Sequence, residues 1–224
     1  MAEQVPRVVV SRLPLYYRIL CLLEEEKKAV ASSQELGARL QLTPAQIRKD
    51  LSYFGRFGKQ GKGYNVKRLL QELRRILGLD REWGMAVVGV GKLGRALLGY
   101  GAFPAQGFRI VAAFDADASQ IGEEVGDITI QDISQLPSAL ANGRIHIGIV
   151  SVPPSQAQAA IDLLLRHGVK AILNYAPVHA QVPSGIQLRD VDPVMALQSM
   201  TFYLKNSEIR VKKGVVFKTP SSGA

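Results

Sequence analysis

A chain of 224 residues is long enough for one large domain or two modest ones, and 47% hydrophobic residues is ordinary for a protein with a packed core. The single cysteine, Cys21, excludes an internal disulfide framework, and three scattered histidines offer no metal-ligand spacing. No apolar run reaches the ~18 residues that span a bilayer, and no long apolar stretch of a signal peptide opens the chain. The net charge of +9 is uneven: residues 1–80 hold 15 Lys and Arg against 8 Asp and Glu, residues 81–204 hold 8 against 10, and residues 205–224 hold 5 against 1. Basic ends around a slightly acidic middle point to a polyanion partner for the N-terminal module.

Residues 1–10 are expected to form a loose arm. Leu15, Ile19, Leu22 and Leu23 recur at helical spacing, so Leu15 to Glu25 is predicted to be a helix. Ser33 is placed to cap a second helix, Gln34 to Leu40. After a three-residue link, Thr43-Pro-Ala-Gln46 combines capping-box spacing with a proline at the first helical position, where its missing N–H costs nothing. The third helix, about Pro44 to Phe54, carries Ile47, Leu51 and Phe54 on one face and Arg48, Lys49, Ser52 and Tyr53 on the others. Two short helices with a tight link describe a helix-turn-helix when the second is rich in base-reaching side chains.

Gly55 to Gly63 holds four glycines and three cations in nine residues, which suits a β-hairpin wing resting on phosphates or entering a minor groove. Tyr64 to Leu77 is predicted to be another amphipathic helix, closed by Gly78. A helix-turn-helix also serves protein contacts, but the cations favour DNA. Arg48 and Lys49 are candidates for guanine edges, because a cation can donate to both O6 and N7. Thr43, Gln46, Ser52 and Tyr53 complete the candidate recognition surface, and Arg12, Lys59, Lys62 and Lys67 are phosphate candidates.

The second module opens on Met85-Ala-Val-Val-Gly-Val-Gly-Lys-Leu-Gly-Arg-Ala-Leu-Leu98: an apolar β-branched run, glycines in G-x-G-x-x-G spacing, then a helix start. Gly89 permits the bend, Gly91 lets a pyrophosphate approach the backbone, and Gly94 lets helix and strand pack closely. The phosphates would sit on N–H groups at the helix N-terminus, beside Lys92 and Leu93. A second strand, Phe108 to Phe114, ends at Asp115, a carboxylate 21 residues after Gly94, near the ~20 expected of the acid that binds an adenosine ribose. Such a carboxylate accepts from the ribose hydroxyls and repels a 2′-phosphate, which favours NAD(H) over NADP(H). A nucleotide-free Rossmann-like domain, or one holding another adenosine ligand such as coenzyme A, is the alternative.

Further strands are predicted at Ile128 to Ile130, Ile145 to Val150 and Lys170 to Leu173, with helices near Ile133 to Leu140 and at Ser155 to His167. Alternation of this kind implies a parallel sheet, whose ligands bind outside the carboxyl ends of the strands. Val152 and Pro153, in the turn after Val150, lie there, as do Asn174, Ala176 and Pro177 after Leu173. A last helix begins at Asp192, an N-cap, and Pro193. It is apolar on more than one side, as a dimer element would be. Residues 206–224 are expected to be a basic, disordered tail.

An enzyme would need a substrate domain and a proton-transfer group near the nicotinamide. Little chain remains after Asp115 beyond what completes the sheet. His146 alternates with isoleucines as a core residue would, His167 closes a helix, and His179 is the histidine near the site. Tyr100 is placed either to face a nicotinamide or to pack. A small NAD-dependent oxidoreductase with a basic N-terminal domain is the second reading, and a regulator sensing another adenosine ligand the third.

Four runs carry a resemblance: Arg48-Lys-Asp-Leu-Ser-Tyr-Phe-Gly55, Gly61-Lys-Gly-Tyr64, Val88-Gly-Val-Gly-Lys-Leu-Gly94 and Asn174-Tyr-Ala-Pro177. Over about residues 8–205 the chain resembles the Rex family of redox-sensing transcriptional repressors. The resemblance implies a cytoplasmic homodimer with winged helix-turn-helix domains at 1–80 and Rossmann-like domains at 81–204. It implies a C-terminal helix, about 192–205, swapped between subunits. It implies binding to palindromic operator DNA with NAD+ or no nucleotide, release by NADH, and no catalysis. Arg18 and Tyr100 match positions that exchange partnership with the aspartate at Asp192 as the nucleotide changes. Pro193 departs from the bulkier hydrophobes that often follow this aspartate.

Overall fold

The computed structural model describes residues 5–59 and 62–212, the side chains of Lys59 and of residues 206–212 excepted. The chain divides into two compact units, Met1–Glu82 and Trp83–Ala224.

The first unit opens with α1 (Arg7–Glu25), which starts eight residues before the predicted helix and takes in part of the expected arm. Its buried stripe is Val9, Leu13, Tyr16, Leu20 and Leu23, an alternating four-and-three spacing that keeps one face inward. The predicted stripe is therefore corrected: Leu15 and Leu22 are 48% and 42% exposed. Strand β1 (Val30–Ala31) leads to α2 (Ser33–Leu40), capped by Ser32 and not Ser33: the Ser32 Oγ accepts from the Glu35 N–H at 3.0 Å. Helix α3 (Pro44–Ser52) starts as its sequence dictates, with the Thr43 hydroxyl accepting from the Gln46 N–H at 3.2 Å.

The wing is β2 (Gly58–Lys59) and β3 (Gly63–Asn65), and β3 also pairs with β1 to give the order β1-β3-β2. Tyr64, predicted to open a helix, is instead a buried strand residue opposite Ala31. Asn65 then caps α4 (Val66–Ile76), and Gly78 closes it in the left-handed region at φ 68°. Leu13, Tyr16, Leu20, Ile47, Leu51, Leu69 and Leu73 form the core.

The second unit is a seven-stranded sheet: β4 (Trp83–Val88), β5 (Phe108–Asp115), β6 (Glu124–Val125), β7 (Ile128–Asp132), β8 (Ile147–Val150), β9 (Ala171–Asn174) and β10 (Gln187–Asp190). The order is β10-β9-β8-β4-β5-β7-β6, parallel except for the β6–β7 hairpin. Helices α5 (Lys92–Leu98), α6 (Ala102–Ala105), α7 (Leu136–Ala141) and α8 (Pro154–Arg166) connect the strands. The chain leaves β4 on the β5 side and returns on the β8 side, so the topological switch point lies between β4 and β8. Strand β10 has no apolar run to announce it: Gln187, Arg189 and Asp190 are exposed, as an edge strand permits. His146 is a half-buried packing residue whose Nδ1 accepts from the Gly84 N–H at 3.1 Å, with its ring edge-on to Trp83.

Helix α9 (Pro193–Lys212) is longer than predicted. Basic residues 206–212, expected to be disordered, continue the helix, and 213–224 lie outside the described residues. The Asp192 carboxylate accepts from the Val194 N–H at 2.8 Å, the cap that Asp-Pro specifies. Val194, Met195, Leu197, Met200, Phe202, Tyr203 and Leu204 are all more than half exposed.

Candidate functional site

Two sites emerge, one in each unit. In the first, α3 turns Ile47, Asp50 and Leu51 inward and leaves Arg48, Lys49 and Ser52 exposed, with Tyr53 half-buried. The Arg48 guanidinium donates to the Ser33 hydroxyl at 3.0 Å, which orients it while leaving other N–H donors for a base or phosphate. A groove of about 660 Å³ runs between α3 and the wing, lined by Ser32, Ser33, Arg48, Ser52, Arg56 and Tyr64. Thr43, Lys62 and Lys67 are exposed. The side chain of Lys59 lies outside the described residues.

Two of the candidate residues, Arg12 and Gln46, have partners inside the unit. The Arg12 guanidinium forms a two-pronged ion pair with Asp50, Nε to Oδ2 at 2.5 Å and Nη2 to Oδ1 at 2.8 Å. Gln46 is turned inward as well, its amide donating to Asp50 Oδ1 at 2.6 Å. Asp50 is fully buried, and the Tyr16 hydroxyl also donates to it at 2.5 Å. Burial pushes the Asp50 carboxyl up, but the hydrogen bonds from Arg12, Tyr16 and Gln46 outweigh it and hold it below the usual range. Burial, then Asp50, push the Tyr16 phenol well up. This network ties α1 to α3, and Asp50 was legible as a carboxylate on the helix face of Ile47 and Leu51, though nothing in the sequence named its partners.

In the second unit, the turn after β4 and the turn after β8 meet at the switch point. Gly89 has φ +92°, and a Cβ there would stand 2.7 Å from the Val152 side chain and 2.8 Å from the Ser151 backbone. The Ser151 hydroxyl donates to the Gly89 carbonyl at 2.8 Å, locking the two turns together. Gly94 is buried, and a Cβ there would fall on the Gly89 carbonyl oxygen. Gly91 differs: its φ of −67° is open to any residue, and a Cβ would meet no described atom within 4 Å. Its lack of a side chain therefore serves nothing in the protein and leaves room for a group from outside.

The Asp115 carboxylate closes the same turn, accepting from the Val90 N–H at 2.5 Å and the Asp117 N–H at 2.9 Å. A carboxylate has about four lone-pair positions, so two remain for a ligand. A cleft of about 600 Å³ is bounded by Gly89, Gly91, Asp115, Asp117, Val152 and Pro153. A more apolar recess of about 320 Å³ adjoins it, lined by Ile133, Val152, Ala159, Ala160 and Leu163 and suited to a flat base. Lys92 and Leu93 are exposed in the first turn of α5, whose N–H groups favour phosphate.

At the far end, Asn174 and Ala176 shape the loop after β9. Asn174 is fully buried; its amide donates to Ala176 O at 3.1 Å and Asp190 Oδ1 at 2.8 Å, and its oxygen accepts from the Ala176 N–H at 3.0 Å. Ala176 is buried too, while Pro177 is exposed. Tyr100 is 55% exposed and edge-on to Phe103, at 4.9 Å between ring centres. Burial, then the neighbouring Tyr100, raise the Tyr175 phenol.

A winged helix-turn-helix joined to a doubly wound dinucleotide fold defines the class: a DNA-binding regulator with a nucleotide cleft. Residues 4–52 match the family model described as putative DNA-binding protein N-terminus, and residues 80–178 match the CoA binding domain. A redox-sensing transcriptional repressor Rex of Chloroflexus aurantiacus is 51% identical over 203 residues, covering 91% of this chain and 96% of that protein. Rex 1 of Thermotoga maritima is 43% identical, covering 90% and 97%. The structure of RSP in complex with beta-NAD+ and operator DNA superposes with a TM-score of 0.89 at 36% identity, covering 96% of this chain and all of that one. RSP in complex with beta-NADH gives 0.84 at 34% identity, covering 94% and 99%. The chain belongs to the Rex family of redox-sensing transcriptional repressors.

Proposed function

We propose that this chain is a cytoplasmic homodimeric repressor that occupies palindromic operator DNA with NAD+ or no nucleotide and leaves it on binding NADH. The observation that carries the reading is Gly91, a glycine whose missing side chain relieves no contact in its own fold, set among the residues that line the cleft at the strand ends, where it leaves room for a pyrophosphate. Gly89, Gly91, Lys92, Leu93, Val152 and Pro153 would hold the phosphates and base, and Asp115 the adenosine ribose. Tyr100 and Pro177 would border the nicotinamide. The nucleotide acts as a signal and not a co-substrate. The exposed apolar length of α9 fits a helix swapped onto a second copy, and the chain's relatives are repressors. With NAD+ bound, Arg18, exposed on α1, pairs with Asp192 in the dimer. With NADH bound, Asp192 turns away and the partnership passes to Tyr100. Among the described residues no helix is long and apolar enough to cross a membrane.

A duplex enriched from a random pool by the full chain tests this. At fixed salt, NADH should release the protein and NAD+ should not. DNA binding indifferent to both would remove the redox reading, and release by coenzyme A would move the cleft to the ligand class that the domain model names. Asp115→Ala should keep DNA binding and lose on the order of a hundredfold in NADH affinity, since two charge-assisted hydrogen bonds at ~1.5 kcal/mol each disappear. Normal release of that variant would cancel the ribose assignment. Arg48→Ala should lose ~1–3 kcal/mol on the selected duplex with the melting temperature unchanged. Undiminished affinity would take Arg48 off the base-reading surface.

A further inference from the structure

The ribose end of the cleft is held by a stitched segment. Asp115, Asp117 and Gln120 line it. The Gln120 N–H donates to Asp117 O at 2.9 Å, the Glu123 N–H donates to Gln120 O at 3.2 Å, and Glu123 O accepts from the Ile130 N–H at 2.9 Å. Asp117 accepts from the backbone and hydroxyl of Ser119, at 2.9 and 2.8 Å, which holds its carboxyl below the usual range and keeps it charged. Arg95, the residue after Gly94, reaches this segment through Gln120, which lines the cleft, and through Glu123. One guanidinium nitrogen donates to both the Gln120 side-chain oxygen and the Glu123 carboxylate.

An arginine at this corner is what a phosphate on the ribose 2′-oxygen would recruit, because a guanidinium matches phosphate oxygens with paired N–H donors. Here its charge is taken by Glu123. We propose that Glu123 is a specificity-determining residue, which keeps the cleft selective for the dinucleotide without a 2′-phosphate by pinning Arg95 away from it. This rests on the cleft being the NAD(H) site argued above. The two carboxylates act differently: Asp115 repels a 2′-phosphate directly, whereas Glu123 withholds the counter-charge that would make one welcome. The pair is partly exposed, so it contributes little to stability and its removal leaves the fold intact.

The test is calorimetric titration of the full chain with NADH and, separately, NADPH. Glu123→Gln should tighten NADPH by about tenfold, the effect of releasing one unit charge near a phosphomonoester, and leave NADH within about twofold. Adding Arg95→Ala to that variant should restore the original discrimination. A merely structural role would move both nucleotides together, so the ratio is the readout. An unchanged NADPH affinity in Glu123→Gln overturns the proposal, as does a tightened one that survives loss of Arg95. If the unaltered chain does not bind NADH, the reading of the cleft fails, and this proposal with it.

Discussion

Replacing Gly91 by valine is expected to abolish the response to NADH while leaving the fold standing, and replacing Gly94 by alanine is expected to break the fold of the turn itself. The two glycines lie three residues apart in one motif that gives them different roles, and the tertiary geometry agrees with that division. A Cβ on Gly91 meets no described atom within 4 Å, so the substitution costs the protein only the small preference for glycine over valine at the N-cap of α5. A bound pyrophosphate would lose its closest backbone approach. Forfeiting two charge-assisted hydrogen bonds at ~1.5 kcal/mol each reduces affinity by on the order of a hundredfold. At Gly94 a methyl group meets the Gly89 carbonyl, which is backbone and cannot swing aside. Overpacking against such a target costs ~3 kcal/mol, the upper part of the usual range, and lowers the melting temperature by roughly 6–10 °C. Thermal melting and nucleotide titration of the two variants decide the matter. A Gly91→Val protein that still binds NADH normally would place the phosphates elsewhere.

Asp50→Ala is expected to cost ~3–5 kcal/mol in the first unit, measured by urea unfolding, because it leaves the Arg12 guanidinium largely buried without its carboxylate. Operator affinity should fall with it, since α3, which carries Arg48 and Lys49, loses its tie to α1. Replacing the pair together, Asp50→Leu with Arg12→Met, should recover much of the loss, because removing both charges removes the unpaired one. A double variant no more stable than Asp50→Ala would show that the network's worth lies elsewhere. The pH dependence has a definite sign. The folded carboxyl lies below its unfolded value of ~3.9, so its contribution is complete above that pH and drains away as pH falls through the lower folded value. Acid unfolding of the first unit should therefore steepen below about pH 4 and flatten in Asp50→Asn. Equal acid profiles for the two proteins would refute the assignment.

The first prediction turns on two glycines whose roles the motif spacing already names; the second turns on Asp50, whose type was plain and whose role was not. The glycine spacing, the Thr43-Pro44 and Asp192-Pro193 caps and the strand–helix alternation are local signals, and the structure carries the elements they announce. Arg12 was visible as a cation but not as the partner of Asp50, 38 residues away. Asn174 was visible as a polar loop residue at a strand end. That it faces inward depends on Asp190, on an edge strand with no apolar pattern. On α1, the apolar residues Val8, Leu15 and Leu22 compete with Val9, Leu13, Tyr16, Leu20 and Leu23 for the inner face, and only packing shows which stripe is buried.

The sequence by itself determined what depends on neighbours a few residues apart: the caps, the glycine turn, the cation-rich third helix, and through four motifs the family. These rest on backbone conformations and short-range hydrogen bonds that residue type alone restricts. Tertiary structure decided which charges are free and which are spent. Arg48 stays at the surface with donors to spare, while Arg12 and Arg95, alike in type, are committed to Asp50 and Glu123. A charge acquires its function from the ions and dielectric that folding brings to it, and those come from distant parts of the chain.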